Sequence, residues 1–177
     1  FDRLYHLYFN ARRSPLRFAG QDFYVAKLPA ERRLAVVKVL EHAKRLPDDY
    51  LRTSLIELER DLDANYPEAG FEESRTMTWD QIREMADSGI EFGSHAVTHP
   101  ILTNVSPARL AIEMSASKSR LERELGRTIA VIAYPDGGDL AVNELVTSAA
   151  RSAGYRLGAC YMPGLNAPVP SDPFRLR

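Results

Sequence analysis

The stretch His95-Ala-Val-Thr-His99-Pro100 places two imidazoles four residues apart, directly after the short apolar run Gly89-Ile90-Glu91-Phe92-Gly93-Ser94. That run reads as a strand, and strand ends are where α/β enzymes keep their chemistry. On one helical turn, residues at i and i+4 share a face with Cβ atoms about 5–6 Å apart. Two neutral imidazole nitrogens so placed could close on a single ion at about 2.0–2.1 Å. The competing reading has one histidine packed in the core and the other capping a loop. Two ligands do not complete a catalytic metal site, so the surrounding sequence has to decide.

A second segment bears on the choice. Ile129-Ala-Val-Ile-Ala-Tyr-Pro-Asp-Gly-Gly138 is an apolar run broken by Pro135 and a glycine pair. It reads as a buried strand running into a tight turn. Asp136 fits that turn as an Asx-type residue ahead of Gly137-Gly138.

The elements that must position these residues alternate. Thr78-Trp-Asp-Gln81 has the pattern of a capping box opening a helix that ends at Gly89. Ser106 with Pro107 starts the next helix, whose Leu110, Met114, Leu121 and Leu125 face inward until Gly126 stops it. A strand over Ile129–Tyr134, a helix from about Asn143 to Ala153 ended by Gly154, and a strand over Tyr155–Cys160 follow. Strand, helix, strand at this spacing means parallel strands with crossover helices, an α/β chain. The segment from Pro163 to Pro173 reads as an extended loop.

Ahead of Gly70 the periodicity is helical. Glu31 to Leu46 carries Leu34, Val37, Leu40 and Ala43 near helical spacing after Pro29, and Leu51, Leu55, Leu58 and Leu62 form a second stripe. Phe1 to Phe18 mixes four arginines with Tyr5, Tyr8 and Phe9, which reads as an amphipathic helix with a basic face rather than a platform for stacking bases. His6 and His42 sit in this half as ordinary helix residues without metal spacing.

Composition sets bounds. The 177 residues are enough to bury a core, and 23 Lys+Arg against 24 Asp+Glu give no electrostatic reason to expect nucleic acid or an anionic membrane. A single cysteine, Cys160, excludes an intrachain disulfide framework and reads as a buried structural thiol. No signal peptide is visible and no apolar run approaches the roughly 18 residues of a membrane span. Nothing in this stretch assigns a cellular location.

Ser94-His-Ala-Val-Thr-His-Pro100 and Ala133-Tyr-Pro-Asp-Gly137 together resemble the second and third signature motifs of the polysaccharide deacetylases, the NodB-homology group or carbohydrate esterase family 4. Met77 to Ile90 resembles the family's helix leading into the histidine strand, and Ser148 to Tyr155 the helix leading into the next. The resemblance covers roughly Thr76 to Arg177. It implies part of an irregular (β/α) barrel over 76–177, preceded by a helical insertion or cap over 1–75. The family's Thr-Phe-Asp-Asp motif, which precedes the histidines, does not occur here, so the chain reads as an internal piece of a longer protein.

The resemblance also implies a chemistry. A divalent ion, zinc first among the candidates, would be held by His95, His99 and an aspartate outside this chain. A base aspartate, also outside it, would take a proton from water, and the backbone N–H of Asp136 would stabilise the oxyanion. Tyr134 and Pro135 would line the substrate, an acetylated glycan, and the products would be acetate and an amino sugar. Three positions depart from the family pattern: Ala133 stands where many members carry arginine, Ala96 where Ser or Thr is usual, and Asp136 where an aromatic is commoner. The Asp136 carboxylate would then either add a ligand or oppose the oxyanion. Two other functions compete: a catalytically inactive, deacetylase-like carbohydrate-binding domain lacking the base aspartate, and a helix-capped α/β binding protein in which both motifs are coincidental.

Overall fold

The first helix stops where Ala11 turns to extended backbone. In the computed structural model, which describes residues 1–63, 76–168 and 170–177, α1 spans only Asp2–Asn10 and buries Leu4, Leu7 and Tyr8. Pro15 disfavours helical backbone at Ser14, and the chain turns into a hairpin, β1 (Leu16–Phe18) against β2 (Gln21–Phe23), in register Leu16↔Phe23 and Phe18↔Gln21. Ala19 and Gly20, at φ 46° and 80°, supply the two positive φ angles that a two-residue hairpin turn of matching twist requires. The expectation of helix throughout this half, and through Phe18 in particular, is therefore corrected.

Two longer helices complete this unit. α2 (Pro29–Ala43) starts on Pro29 and buries Val36, Val39 and Ala43. Leu34 and Val37, which the spacing put on the apolar stripe, are exposed at 78% and 47%. The helix is apolar on more than one side, and the core takes Leu40 and Ala43 of that stripe together with Val36 and Val39. α3 (Asp48–Leu62) buries Leu58, with Leu51, Leu55 and Leu62 packed against the same core, as their spacing implies. That core gathers α1, the hairpin, α2 and α3 around Tyr8, Leu16 and Phe18. The Tyr8 hydroxyl donates to Tyr24 O at 2.6 Å, which satisfies a polar group in the interior. His42 lies against the rings of Phe18 and Phe23.

The chain divides into two compact units, Phe1–Thr76 and Met77–Arg177; the division near Gly70 read from sequence falls outside the described residues. In the second unit, α4 (Trp79–Asp87) begins on the expected capping box, with Gln81 N–H donating to Thr78 Oγ1 and Thr78 N–H to Gln81 Oε1. α5 (Pro107–Leu125) is capped by Ser106 and ended by Gly126 at φ 61°. α6 (Glu144–Ser152) is capped by Asn143, whose side chain accepts from Val146 N–H at 3.0 Å.

The strands are shorter than the apolar runs suggested. β3 is Val131–Ala133 and β4 is Leu157–Ala159, paired parallel as Val131↔Leu157 and Ala133↔Ala159. The run before His95 contributes one parallel bridge, Ser94↔Ile132, rather than a strand; Leu176, beyond the Pro163–Pro173 segment, adds another, to Ala159. The parallel order is thus Ser94, β3, β4, Leu176. It is the crossover pattern expected of an α/β chain, and among the described residues it does not close into a barrel. Cys160 is half-buried rather than fully buried, with a thiol that burial pushes above its ordinary value. No helix among the described residues is long and apolar enough to cross a membrane.

Candidate metal centre

Ser94 is where the backbone is pinned. Its N–H donates to Val131 O at 2.9 Å and its carbonyl accepts from Ala133 N–H at 2.8 Å, so His95 leaves the carboxyl end of that bridge beside the end of β3. His95 and His99 sit on an irregular loop rather than on a helical turn. The loop bends through left-handed backbone at Ala96 (φ 64°) and at His99 itself (φ 56°). The rings nevertheless meet, with centroids 4.7 Å apart and planes at 77°. Both side chains are exposed.

His95 Nδ1 lies 2.7 Å from Ala133 O. A carbonyl oxygen only accepts, so this nitrogen is the donor, and in the neutral ring that leaves Nε2 as the nitrogen with a lone pair to offer. That arrangement, one ring N–H donated to a backbone carbonyl and the other nitrogen offered outward, is how metal-ligating histidines are commonly held. The acceptor is the main-chain carbonyl of Ala133, at the carboxyl end of β3. Among the described residues no group of three or more His, Cys, Asp or Glu gathers at one point. The candidate ligands here are thus two imidazoles, fewer than the three protein ligands a catalytic zinc site normally uses.

Tyr134, Pro135 and Asp136 follow directly from β3. Tyr134 is buried and its hydroxyl donates to Phe174 O at 3.1 Å, with burial pushing it well above the ordinary tyrosine range. Pro135 is also buried. Asp136, half-buried, takes φ 63° and Gly137 takes φ 58°, two successive left-handed residues that reverse the chain. The turn is tied to the segment after β4 by Tyr161 N–H donating to Gly137 O at 2.9 Å.

Glu113 escaped the sequence reading. It is fully buried on α5, and its carboxylate accepts from Val97 N–H at 2.7 Å, Thr98 N–H at 2.9 Å, Thr98 Oγ1 at 2.7 Å and Arg109 Nε at 2.9 Å. Burial is the largest single influence and pushes the carboxyl up; the donors on Thr98, Val97 and Arg109 together outweigh it and hold the carboxyl below its usual range. Farther along the same face, Ser117 accepts from Ser94 Oγ at 2.8 Å. Lys118 donates to Ile129 O and to Glu122, and Ile129 N–H donates to the same Glu122 carboxylate at 3.0 Å, holding the entry to β3. The available signal was the register Leu110, Glu113, Met114, Ser117, which puts a carboxylate and a hydroxyl among core positions.

The polysaccharide deacetylase family model matches residues 57–158, more than half of the chain. This chain belongs to the polysaccharide deacetylase family. The match starts inside α3, ahead of the second compact unit. YxkH of Bacillus subtilis (strain 168), which carries a polysaccharide deacetylase name, is 33% identical over 88 residues, half of this chain and 30% of that protein. Among solved structures, the Streptococcus pyogenes deacetylase PplD in complex with acetate has a TM-score of 0.54 at 25% identity, covering 70% of this chain and 56% of that one. A polysaccharide deacetylase from Bacillus cereus, BC0361, has a TM-score of 0.51 at 23% identity over 70% of this chain and 41% of that one, a likeness of fold. The chain thus spans less than a third of the length of YxkH and little more than half of PplD.

Proposed function

We propose that this chain supplies the histidine face of a metal-dependent hydrolase that removes acetyl groups from N-acetylated polysaccharide or oligosaccharide. The observation that supports the reading is the His95–His99 pair, rings 4.7 Å apart with His95 held on Ala133 O, at the end of the parallel strands of a polysaccharide deacetylase family member. His95 Nε2 and a His99 ring nitrogen would hold a divalent ion, zinc by the preference of imidazole ligands. When bound, that ion polarises an acetyl carbonyl and acidifies a water. The chain's own part is to orient the two imidazoles, to present the Asp136 backbone N–H toward the developing oxyanion, and to keep the Tyr134–Gly138 turn rigid beside them. Pro135 and Tyr134 shape the substrate side of this turn, Tyr134 through packing beneath it.

The third ligand and the base would come from a carboxylate pair outside this chain. Residues 1–75 would be an insertion or cap that provides no ligand. A longer protein containing this chain should bind close to one zinc per molecule and release acetate from chitin oligosaccharides, with both lost in His95→Ala. Zinc binding without acetate release would favour an inactive carbohydrate-binding domain. Neither zinc nor glycan binding would sink the proposal.

A further inference from the structure

Glu113 is a carboxylate with no solvent exposure, and its donors come from two backbone amides, one hydroxyl and one guanidinium. Both amides belong to the two residues that lie between Ala96 and His99. They are the centre of the histidine loop, where Ala96 and His99 hold positive φ. A non-glycine residue in left-handed backbone persists only where its surroundings over-determine it. Here the determinant is an anion that gathers two successive N–H groups onto one oxygen, Oε2, while Oε1 takes the Thr98 hydroxyl and Arg109.

One helical turn later on the same face, Ser117 accepts from Ser94 Oγ. Its own hydroxyl donates to Glu113 O at 2.7 Å, and Tyr155 Oη donates to Met114 O at 3.0 Å beside it. Helix α5 therefore grips the chain on both sides of His95, at Ser94 and at Val97–Thr98.

We propose that Glu113 is the positioning residue of the His95–His99 pair: its buried carboxylate, with Ser117 one turn on, fixes the loop in the shape that makes the two imidazoles converge. The role rests on the metal reading of that pair, and Glu113 itself touches neither ion nor substrate. The donors leave no orientation in which an amide would fit. In Glu113→Gln the NH2 group faces either the two backbone N–H groups or the Thr98–Arg109 side, and donor meets donor in each case.

The test is a zinc titration of the chain against a competing chelator, together with hydrogen exchange at the Val97 and Thr98 amides in the metal-free protein. Glu113→Gln should weaken zinc binding 10- to 100-fold, the range for residues that orient metal ligands, and should accelerate exchange at both amides. Met114→Ala, which removes buried apolar volume next door without deleting a donor or acceptor, should lower Tm and leave zinc affinity within about twofold. Equal loss of affinity in the two variants, or zinc affinity in Glu113→Gln within twofold of the parent, would overturn the proposal. Should Glu113→Gln fail to fold, Thr98→Val at the exposed end of the network takes its place: weaker zinc binding supports the role and unchanged binding overturns it. Absence of zinc binding both in the parent chain and in the longer protein containing it would refute the metal reading alone; equal amide protection in parent and Glu113→Gln would refute positioning alone.

Discussion

A histidine with one nitrogen fixed on a backbone carbonyl can offer the other in only one direction, so the 2.7 Å contact from His95 Nδ1 to Ala133 O orients its free nitrogen more than ring spacing does. Ala133→Gly should keep that bond, while a break in β3 pairing should lose it. His95→Ala and His99→Ala should each reduce zinc affinity at least tenfold, since each deletes one imidazole from a shell that normally has three protein ligands; isothermal titration would read this. Glu113 makes a pH prediction with a definite sign. Its folded carboxyl lies below the unfolded value, so the stability it contributes is complete above the ordinary carboxylate range and disappears as pH falls through the lowered folded value. Amide protection at Val97 and Thr98 should therefore survive to more acid pH than an unperturbed carboxylate would allow, then collapse. In Glu113→Gln the collapse should be absent, with protection low throughout.

The tight spots lie in the elements that bracket the histidine loop. Gly137 has φ 58°, and a Cβ there would meet Tyr161 N at 2.5 Å, so Gly137→Ala combines backbone strain with a clash against main chain. It should destabilise the protein by about 1–3 kcal/mol, the scale of such strained positions, read as a lower Tm with the Tyr161 amide deprotected. Thr78→Ala should cost about 1 kcal/mol, the usual worth of an N-cap, because it deletes the acceptor for Gln81 N–H. Elements like α4 and α5 were legible because their start and stop signals are local: Thr78 with Gln81, Ser106 with Pro107, Gly126. The Ala19-Gly20 hairpin was not, since an Ala in left-handed backbone carries no turn signature. The strand before His95 was over-read for a related reason. An apolar run predicts burial, but pairing also needs a neighbour, and only Ser94 finds one.

Over the described residues, the Tyr134–Gly138 turn was legible because Pro135 and the glycine pair mark it, and the histidine pair stood out by residue type and spacing. The sequence reading missed Glu113, Ser117 and Lys118 because a polar residue on a core-facing register looks like an interruption until its long-range partners, 11 to 38 residues distant, are folded against it. The closeness of the two rings is likewise not a product of helical i, i+4 spacing, since the loop is not helical. What two imidazoles can do alone sets the last expectation. The 177-residue chain should bind zinc weakly and leave chitin oligosaccharides acetylated, whereas the same residues in a longer protein with an upstream Asp-Asp motif should bind tightly and turn over. Two ligands hold an ion in competition with water, and catalytic zinc sites normally use three from the protein. A missing general base removes a further factor of about 10²–10⁴ in rate. Affinity and turnover should rise together when the carboxylates are supplied, measured by chelator competition and acetate release on the two lengths. Acetate release by the 177 residues alone, abolished by His95→Ala, would show that carboxylates within the chain complete the site, and Asp136→Asn and Asp139→Asn would then identify which.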